Sequence, residues 1–254
     1  MRIRLPAVIA ATLALVACGG TGSPAAAPGG GGGGTVTVLA AASLTEAFTR
    51  IGQDFERTRP GTTVTFSFGG SSNLAQQITA GAPADVFAAA SPDAMATVTD
   101  AGDAAAEPVT LVRNQLVIAV PKDNPGGIRR LADLTTVKVA LCAEQVPCGS
   151  AAAKALTAAG VTLTPVTLEQ DVKAALAKVK LGEVDAALVY RTDAKAAAAE
   201  VDGIEFPESA AAVNDYPIVA LKNAPNPSGA QAFIAYVQSE PARQVLAEAG
   251  FQRP

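Results

Sequence analysis

Phe66–Ile78, FSFGGSSNLAQQI, places serines between an apolar run and a helical pattern. The apolar run Val64–Phe68 ends in two glycines, which let the backbone turn sharply and approach a ligand closely. Ser71–Asn73 then open the helical pattern. A helix start carries unpaired N–H groups and the positive end of the helix dipole, so with added hydroxyls it suits an anion. In the alternative reading these residues merely cap the helix, with Asn73 and Gln76 forming a capping box.

A second unit of the same kind lies upstream. The apolar run Val36–Leu39 leads through alanines to Ser43, and helical spacing follows. Ser43 and Glu46 have the spacing of a capping box, which is compatible with anion binding because a hydroxyl both accepts and donates. If the two runs are parallel strands, both helix starts face one crevice at the carboxyl edge of the sheet.

Composition excludes several classes of function. The chain has 254 residues, 49% of them hydrophobic, so it can bury a sizeable core. A net charge of −4 argues against nucleic acid as a partner. The chain has no histidine, which excludes a Ser-His-Asp hydrolase and a histidine-ligated zinc enzyme.

The N-terminal segment has the pattern of a leader. Basic residues precede the apolar run Leu5–Val16, which is too short to span a bilayer. Leu15–Cys18, LVAC, resembles a bacterial lipobox, which implies a signal peptide over 1–17 and lipid on Cys18. The alternative is a plain signal peptide with an incidental cysteine. Residues 18–34 are rich in glycine, proline and alanine and indicate a flexible linker. We therefore expect a domain tethered outside the cytoplasm to the cell membrane.

The two remaining cysteines, Cys142 and Cys148, lie close together in ALCAEQVPCGS. An oxidising compartment favours a local disulfide. A metal pair is disfavoured without further cysteine or histidine ligands. Two free buried thiols are the remaining alternative.

Strand and helix patterns alternate along the body of the chain and predict an α/β fold with mainly parallel sheets. The predicted strands are Val36–Leu39, Val64–Phe68, Val86–Ala89, Leu116–Val120, Val137–Leu141, Ala186–Tyr190 and Ile218–Leu221. The predicted helices are Ser43–Thr58, Ser72–Ala80, Pro92–Ala101, Leu131–Leu134, Ser150–Ala159, Val172–Leu181, Ala194–Val201 and Pro227–Ala249, the last divided by Pro241.

Together the segments AAASLTEAF, FGGSSNLAQQI, GAPADVFAAAS and DVKAALAKVKLGEVDAALVY resemble the periplasmic molybdate-binding proteins of ABC importers. The resemblance covers Thr35–Gly250. It implies the two-lobed type II solute-binding fold, each lobe a mainly parallel sheet flanked by helices. Lobe one is then discontinuous, comprising 35–115 and 216–254, and lobe two comprises 116–215.

The resemblance also implies the ligand site. Ser43 and Ser71 contribute hydroxyls and amides from lobe one, and Cys148 and Val172 contribute amides from lobe two, with the Tyr190 phenol. The ligand is molybdate or tungstate, held by these residues without direct metal ligands and without a cofactor. The implied partner is a membrane permease of an ABC importer, and the chain is expected to be a monomer and not an enzyme. A cysteine at 148 departs from the small residue usual there, but only its amide is needed.

Other functions fit the sequence less well. Sulfate or another oxyanion is the nearest alternative for the same fold. A ferric-binding protein needs clustered tyrosines, and Tyr190, Tyr216 and Tyr236 are not adjacent in sequence. A serine hydrolase with a Ser-x-x-Lys nucleophile is disfavoured because Lys154 lies one residue too far from Ser150. Asp85 is expected to be structural, since a carboxylate facing a dianion repels it.

Overall fold

The computed structural model describes residues 33–254, so the predicted signal peptide, Cys18 and most of the linker lie outside the described residues. The strands of the described part are β1 Gly34–Ala41, β2 Thr62–Gly69, β3 Val86–Ala88, β4 Val109–Asn114, β5 Leu116–Pro121, β6 Val139–Cys142, β7 Thr167–Glu169, β8 Ala186–Tyr190, β9 Val201–Ile204 and β10 Asn214–Ala220. The α-helices are α1 Thr45–Thr58, α2 Ser71–Thr79, α3 Pro92–Asp100, α4 Pro147–Ala159, α5 Val172–Lys180, α6 Arg191–Ala196, α7 Pro227–Val237 and α8 Glu240–Ala249. Short 3₁₀ helices span Ala42–Leu44, Leu131–Thr136 and Pro207–Ala212.

The strands form two five-stranded sheets, one in each lobe. Their orders are β2-β1-β3-β10-β4 and β7-β6-β8-β5-β9. In each sheet two strand pairs are parallel and two are antiparallel. The two-lobed α/β fold is confirmed, but the sheets are mixed rather than mainly parallel. The antiparallel pairs involve β5 and β10, which the chain reaches from the other lobe and not through a βαβ crossover.

The two strand–serine–helix units of the sequence lie side by side. β1 and β2 pair in parallel with Ala41 opposite Gly69, so Ser43 and Ser71 each follow two residues beyond the same edge. Sheet two repeats the arrangement, because β6 and β7 are parallel with Cys142 opposite Glu169. Helices α4 and α5 begin just after these strand ends. Each sheet therefore sends two helix starts toward the same region.

The chain passes between the sheets at two places. β4 ends at Asn114 in sheet one, and β5 begins at Leu116 in sheet two. The return follows the 3₁₀ helix Pro207–Ala212, and β10 begins at Asn214 in sheet one. Both passages lie close together, since Asn214 is opposite Asn114 in the antiparallel pairing of β10 with β4.

Apolar side chains fill the space between sheets and helices. In lobe one Phe48, Phe55 and Phe233 are fully buried, and the Phe55 and Phe233 rings meet edge to face at 5.4 Å. Burial of each such side chain stabilises the fold by about 1.5–3 kcal/mol. Within residues 33–254 no helix is both long and apolar enough to cross a bilayer.

Several element predictions differ from the structure. β4, β7 and β9 were not predicted, and the helix predicted at Ala194–Val201 is α6, which ends at Ala196 before β9 starts. Residue 201 begins a strand because β9 covers the open edge of β5. The C-terminal helix is interrupted at Gln238–Ser239, ahead of Pro241, which sits in the first turn of α8, where proline is tolerated.

Candidate functional site

A small cavity lies where the helix starts of the two lobes meet. Its volume is about 20 Å³, and Ser43, Ser71, Cys148, Val172 and Tyr190 all line it. The structure thus brings together every residue that the resemblance assigned to the ligand. The volume exceeds the roughly 10–15 Å³ that one water needs and is far below the roughly 300 Å³ at which organic-ligand pockets begin. A ligand of a few atoms fits this space.

Four backbone amides at the cavity come from the starts of helices. Ser71 and Val172 are the first residues of α2 and α5, and Cys148 is the second of α4. Ser43 is the second residue of the 3₁₀ helix Ala42–Leu44. In the described part of the chain these N–H groups have no hydrogen-bond acceptor. The first N–H groups of a helix have no partner inside it, so these four are free to bind a ligand.

The Ser71 hydroxyl is buried and held by lobe one. Its Oγ accepts a 2.9 Å hydrogen bond from the Ala90 amide, just beyond β3. Ser71 follows the α2 N-cap, Gly70, and does not cap the helix itself; no side chain caps α2. The alternative reading, in which these residues merely cap the helix with a box of Asn73 and Gln76, is therefore wrong.

The Tyr190 phenol lies at the end of β8 and is 1% exposed. Its Oη accepts a 2.9 Å hydrogen bond from the Asn214 side-chain amide, which also donates to the Ala90 carbonyl at 2.7 Å. Burial raises the pKa of the Tyr190 phenol well above its usual value, so it stays protonated. Asn214 thus connects Ala90 of lobe one to the Tyr190 hydroxyl of lobe two.

The Ser43 hydroxyl contacts a residue that sequence reasoning did not assign to the site. Ser43 Oγ lies 2.8 Å from the Tyr216 Oη, and both side chains are buried. The predicted capping box of Ser43 with Glu46 is wrong, because α1 begins at Thr45 and has no side-chain cap. The pair is separated by 173 positions, so no local pattern in the sequence marks it.

No Lys or Arg side chain lines the cavity in the described part of the chain. Arg113 is paired with Asp215, and Arg191 with Glu205, on exposed surfaces. One carboxylate, Asp171, does line the cavity, but it accepts the Lys173 and Ala174 amides as the N-cap of α5.

Asp85 is structural, as expected. Its two oxygens accept the backbone amides of Thr37, at 2.7 Å, and Asn226, at 2.6 Å. These bonds tie the segment before β3 to β1 and to the start of α7.

Two of the three tyrosines meet in space, although they are not adjacent in sequence. The Tyr190 and Tyr216 rings meet edge to face with centroids 5.9 Å apart. Burial raises the pKa of Tyr216 as it does that of Tyr190, which opposes the phenolates that ferric iron needs. Within residues 33–254 no group of three or more His, Cys, Asp or Glu side chains is placed to hold a metal ion.

A charged cluster lies beside the cavity. Lys173 Nζ is 2.7 Å from Glu46 of lobe one and 3.1 Å from the fully buried Asp193 of lobe two. The Asp193 contact is an ion pair by distance but lies outside hydrogen-bond geometry. Burial raises the pKa of Asp193 to about 6, although Lys173 acts to lower it. Burial lowers the pKa of Lys173, but Asp193 and Glu46 more than offset this and raise it overall.

A disulfide joins Cys142 at the end of β6 to Cys148 in the first turn of α4, with Cα atoms 5.7 Å apart. The bridge closes the loop that presents the Cys148 amide to the cavity. Gly149 is also required there, because a Cβ would lie 1.9 Å from the Ala143 carbonyl oxygen.

Comparisons with known proteins agree with this architecture. Residues 36–252 match the model of a family described as bacterial extracellular solute-binding protein. The chain is 44% identical over 244 residues to the molybdate-binding protein ModA of Mycobacterium tuberculosis, covering 94% of this chain and 93% of that protein. It is 31% identical to a Bacillus subtilis protein, over 96% of both chains; that protein carries the provisional name ABC transporter substrate-binding lipoprotein YvgL.

One solved structure gives the fold independently. The periplasmic molybdate-binding protein of Azotobacter vinelandii superposes with a TM-score of 0.71 at 21% identity. The match covers 86% of this chain and 99% of that chain. At this identity the likeness shows the two-lobed fold alone.

Proposed function

The chain belongs to the bacterial extracellular solute-binding protein family, and from that premise we propose that it captures molybdate or tungstate and delivers it to an ABC import permease. The observation that carries the proposal is the single cavity in which Ser43, Ser71, Cys148, Val172 and Tyr190 converge from two lobes. The 44% identity to a protein named for molybdate supports this ligand over sulfate. Members of this family bind solutes and are not enzymes.

The donor set suits a dianion without a countercharge. Transfer of a bare dianion into a low-dielectric site costs tens of kcal/mol. Four amides without an acceptor and three hydroxyls belong to residues that line the cavity. Each hydrogen bond that such a donor makes to a charged group contributes about 1.5–3 kcal/mol. The starts of α2, α4 and α5 add the positive ends of their dipoles. The ligand is thus held by neutral groups that are already in place.

The same donors favour oxyanions whose oxygens are all unprotonated. Molybdate, tungstate and sulfate offer only acceptors at neutral pH. Hydrogen phosphate carries a proton that needs an acceptor, and leaving it unpaired costs affinity. Sulfate or another unprotonated oxyanion is the second candidate, separated from molybdate by size.

Binding is proposed to close two lobes. We assign 35–115 and 216–254 to lobe one and 116–215 to lobe two, which agrees with β4 in sheet one and β5 in sheet two. At the return passage β10 already begins at Asn214 in sheet one, two residues before the assigned boundary. A ligand that contacts both lobes binds the closed form better and shifts the population toward it.

Outside the cytoplasm, the protein is proposed to act as a monomeric lipoprotein. The LVAC sequence ending at Cys18 supports lipid attachment there, followed by a glycine-rich tether to the cell membrane. The name of the Bacillus relative as a lipoprotein supports the same arrangement. The tether lets the closed, loaded form reach a permease in the same membrane.

Ligand-induced thermal stabilisation tests the proposed ligand. The mature chain is heated with molybdate, tungstate, sulfate or phosphate, all at the same concentration. At about 100 times the Kd of an anion that binds, the protein is stabilised by about 2.7 kcal/mol. For a chain of this size that raises Tm by about 5–10 °C. We expect the shift with molybdate and tungstate and none with phosphate. A shift with sulfate alone would replace the proposed ligand with the second candidate.

A further inference from the structure

The three cavity hydroxyls each contact a group that fixes the direction of their hydrogen bonds. For Tyr190 that group is the Asn214 side chain. The Ala90 carbonyl can only accept, so the Asn214 atom 2.7 Å from it must be the NH₂ group. The same NH₂ lies 2.9 Å from the Tyr190 Oη, which therefore accepts. The phenol proton then has the neighbouring Tyr216 phenol and a ligand oxygen as acceptors, and a charged ligand oxygen is the stronger of the two.

Ser71 is fixed by the amide of the same residue, Ala90. This N–H can only donate, so Ser71 Oγ accepts at 2.9 Å. The Ser71 proton is also left for the cavity. The backbone of Ala90, in lobe one, thus orients two hydroxyls: that of Ser71 directly and that of Tyr190 through Asn214.

Ser43 is fixed through a longer chain of contacts. The Asn114 Oδ1 accepts the Gln115 amide at 3.0 Å, so its NH₂ faces Thr192 at 2.9 Å and Tyr216 at 3.5 Å. Either oxygen of the Ser43–Tyr216 pair, 2.8 Å apart, can donate. The Asn114 NH₂ group on the other side of Tyr216, at 3.5 Å, favours the phenol as the donor to Ser43 Oγ, and the Ser43 proton is then free for the ligand.

We propose that Asn214 and Tyr216 are positioning residues that orient the Tyr190 and Ser43 hydroxyls as donors before the ligand arrives. The inference rests on the proposed function and deepens it, because it names the residues that make the cavity hydroxyls act as hydrogen-bond donors. Neither residue lines the cavity, so each acts through the hydroxyl that it contacts. A ligand oxygen bearing a proton meets only oriented donors at these two positions.

A double-mutant cycle tests Asn214. Asn214→Leu keeps similar volume and removes the donor, so molybdate affinity measured by calorimetry should fall about 3- to 10-fold. In a Tyr190→Phe background the same change should cost less than about twofold, because the hydroxyl through which it acts is gone. An equal loss in both backgrounds would mean a general structural role and would overturn the assignment.

A second cycle pairs Tyr216→Phe with Ser43→Ala. Each of these substitutions removes a single oxygen, so both variants should keep the fold, and the proposal can be tested even if Asn214→Leu does not fold. The expected pattern is the same: about a 3- to 10-fold loss alone and less than about twofold with Ser43→Ala. Ser209→Ala is the matched control, since Ser209 is buried and does not line the cavity. Its hydroxyl donates to the Phe206 carbonyl and accepts from the Gln115 side chain, whereas Asn114 is held by the Gln115 backbone amide. It should leave affinity unchanged.

The positioning roles and the ligand assignment are tested separately. Molybdate binding with additive cycles overturns the positioning roles and leaves the proposed function standing. If sulfate binds and molybdate does not, the ligand assignment falls, and the cycles are then run with sulfate, where coupling is still required. A chain that binds none of molybdate, tungstate and sulfate overturns both.

Discussion

Gly70 of lobe one packs against the carbonyl oxygen of Gln170 in lobe two, so closely that a Cβ on Gly70 would lie 2.3 Å from that oxygen. Next to it, the Ser72 hydroxyl donates to the Gln145 carbonyl of lobe two at 2.7 Å. The structure is therefore closed around the cavity. The Gly70 backbone, with φ of −63° and ψ of 126°, suits any residue, so only the contact between lobes requires glycine.

Gly70→Ala should weaken molybdate binding without destabilising the open form. The methyl group meets a backbone carbonyl only when the lobes close, and such overpacking costs about 1–3 kcal/mol. We expect affinity to fall about 5- to 100-fold. X-ray scattering at saturating molybdate should show a larger radius of gyration than for the wild type. Gly126→Ala is the control, since its Cβ would meet only the Ile128 side chain, at 3.5 Å. Wild-type affinity in Gly70→Ala would disprove tight closure at this point.

Asp193 should make stability depend on pH. Burial raises its pKa to about 6, above the unfolded value of 3.8, so the native state binds more protons in this window. The resulting stability is fully present below about pH 4 and is lost as pH rises through about 6, a change of roughly 3 kcal/mol. Asp193→Asn should remove this contribution. Urea unfolding of both proteins from pH 4 to 7.5 measures it, and a difference in stability that stays constant across that range would contradict the assignment.

The Cys142–Cys148 bridge should stabilise the native state and should be intact in the secreted protein. Closing so short a loop contributes about 2 kcal/mol in the chain-entropy model. Mass spectrometry of the unreduced protein is expected to show one intramolecular bridge, and Cys142→Ser with Cys148→Ser should lower stability by that amount. Two alkylatable thiols in the native protein would refute the pairing.

Lipid on Cys18 should hold the protein at the membrane. Cys18→Ala should release the chain from the membrane fraction or leave it unprocessed, because the thiol that carries the lipid is gone. Fractionation with and without detergent measures the difference. If the variant stayed in the detergent-soluble membrane fraction as the wild type does, the proposed anchor would be wrong.

Local patterns in the sequence predicted much of lobe architecture. The Ser43 and Ser71 units could be predicted because an apolar run, small residues and a helical pattern follow one another within a few residues. The register of the parallel pair β1 and β2 then places both serines at the same edge of the sheet. β7 and β9 were missed because Leu168 is exposed and β9 contains Gly203, so neither has the pattern of a buried strand.

The supporting contacts of the site could not be predicted from local sequence. Tyr216 reaches Ser43 across 173 positions, and Asn214 reaches Ala90 across 124. These pairs depend on the return of the chain to lobe one, which no short motif encodes. The Ser43–Glu46 capping box failed for a related reason, because the Tyr216 hydroxyl is the partner of the Ser43 oxygen. The Asn73–Gln76 box is absent because α2 begins at Ser71, with Gly70 as its N-cap.

Calorimetry of molybdate binding to matched variants tests the neutral-donor site most directly. Ser43→Ala, Ser71→Ala and Tyr190→Phe each remove a hydrogen bond to a charged ligand, so each should lower affinity about 10- to 100-fold. Arg113→Gln and Arg191→Gln remove cations that are paired with Asp215 and Glu205. Lys173→Gln removes a cation that is paired with Glu46 and with the buried Asp193. Each should lower affinity less than about fivefold. Loss of binding in a charge-removing variant, with binding retained in all three hydroxyl variants, would contradict the account.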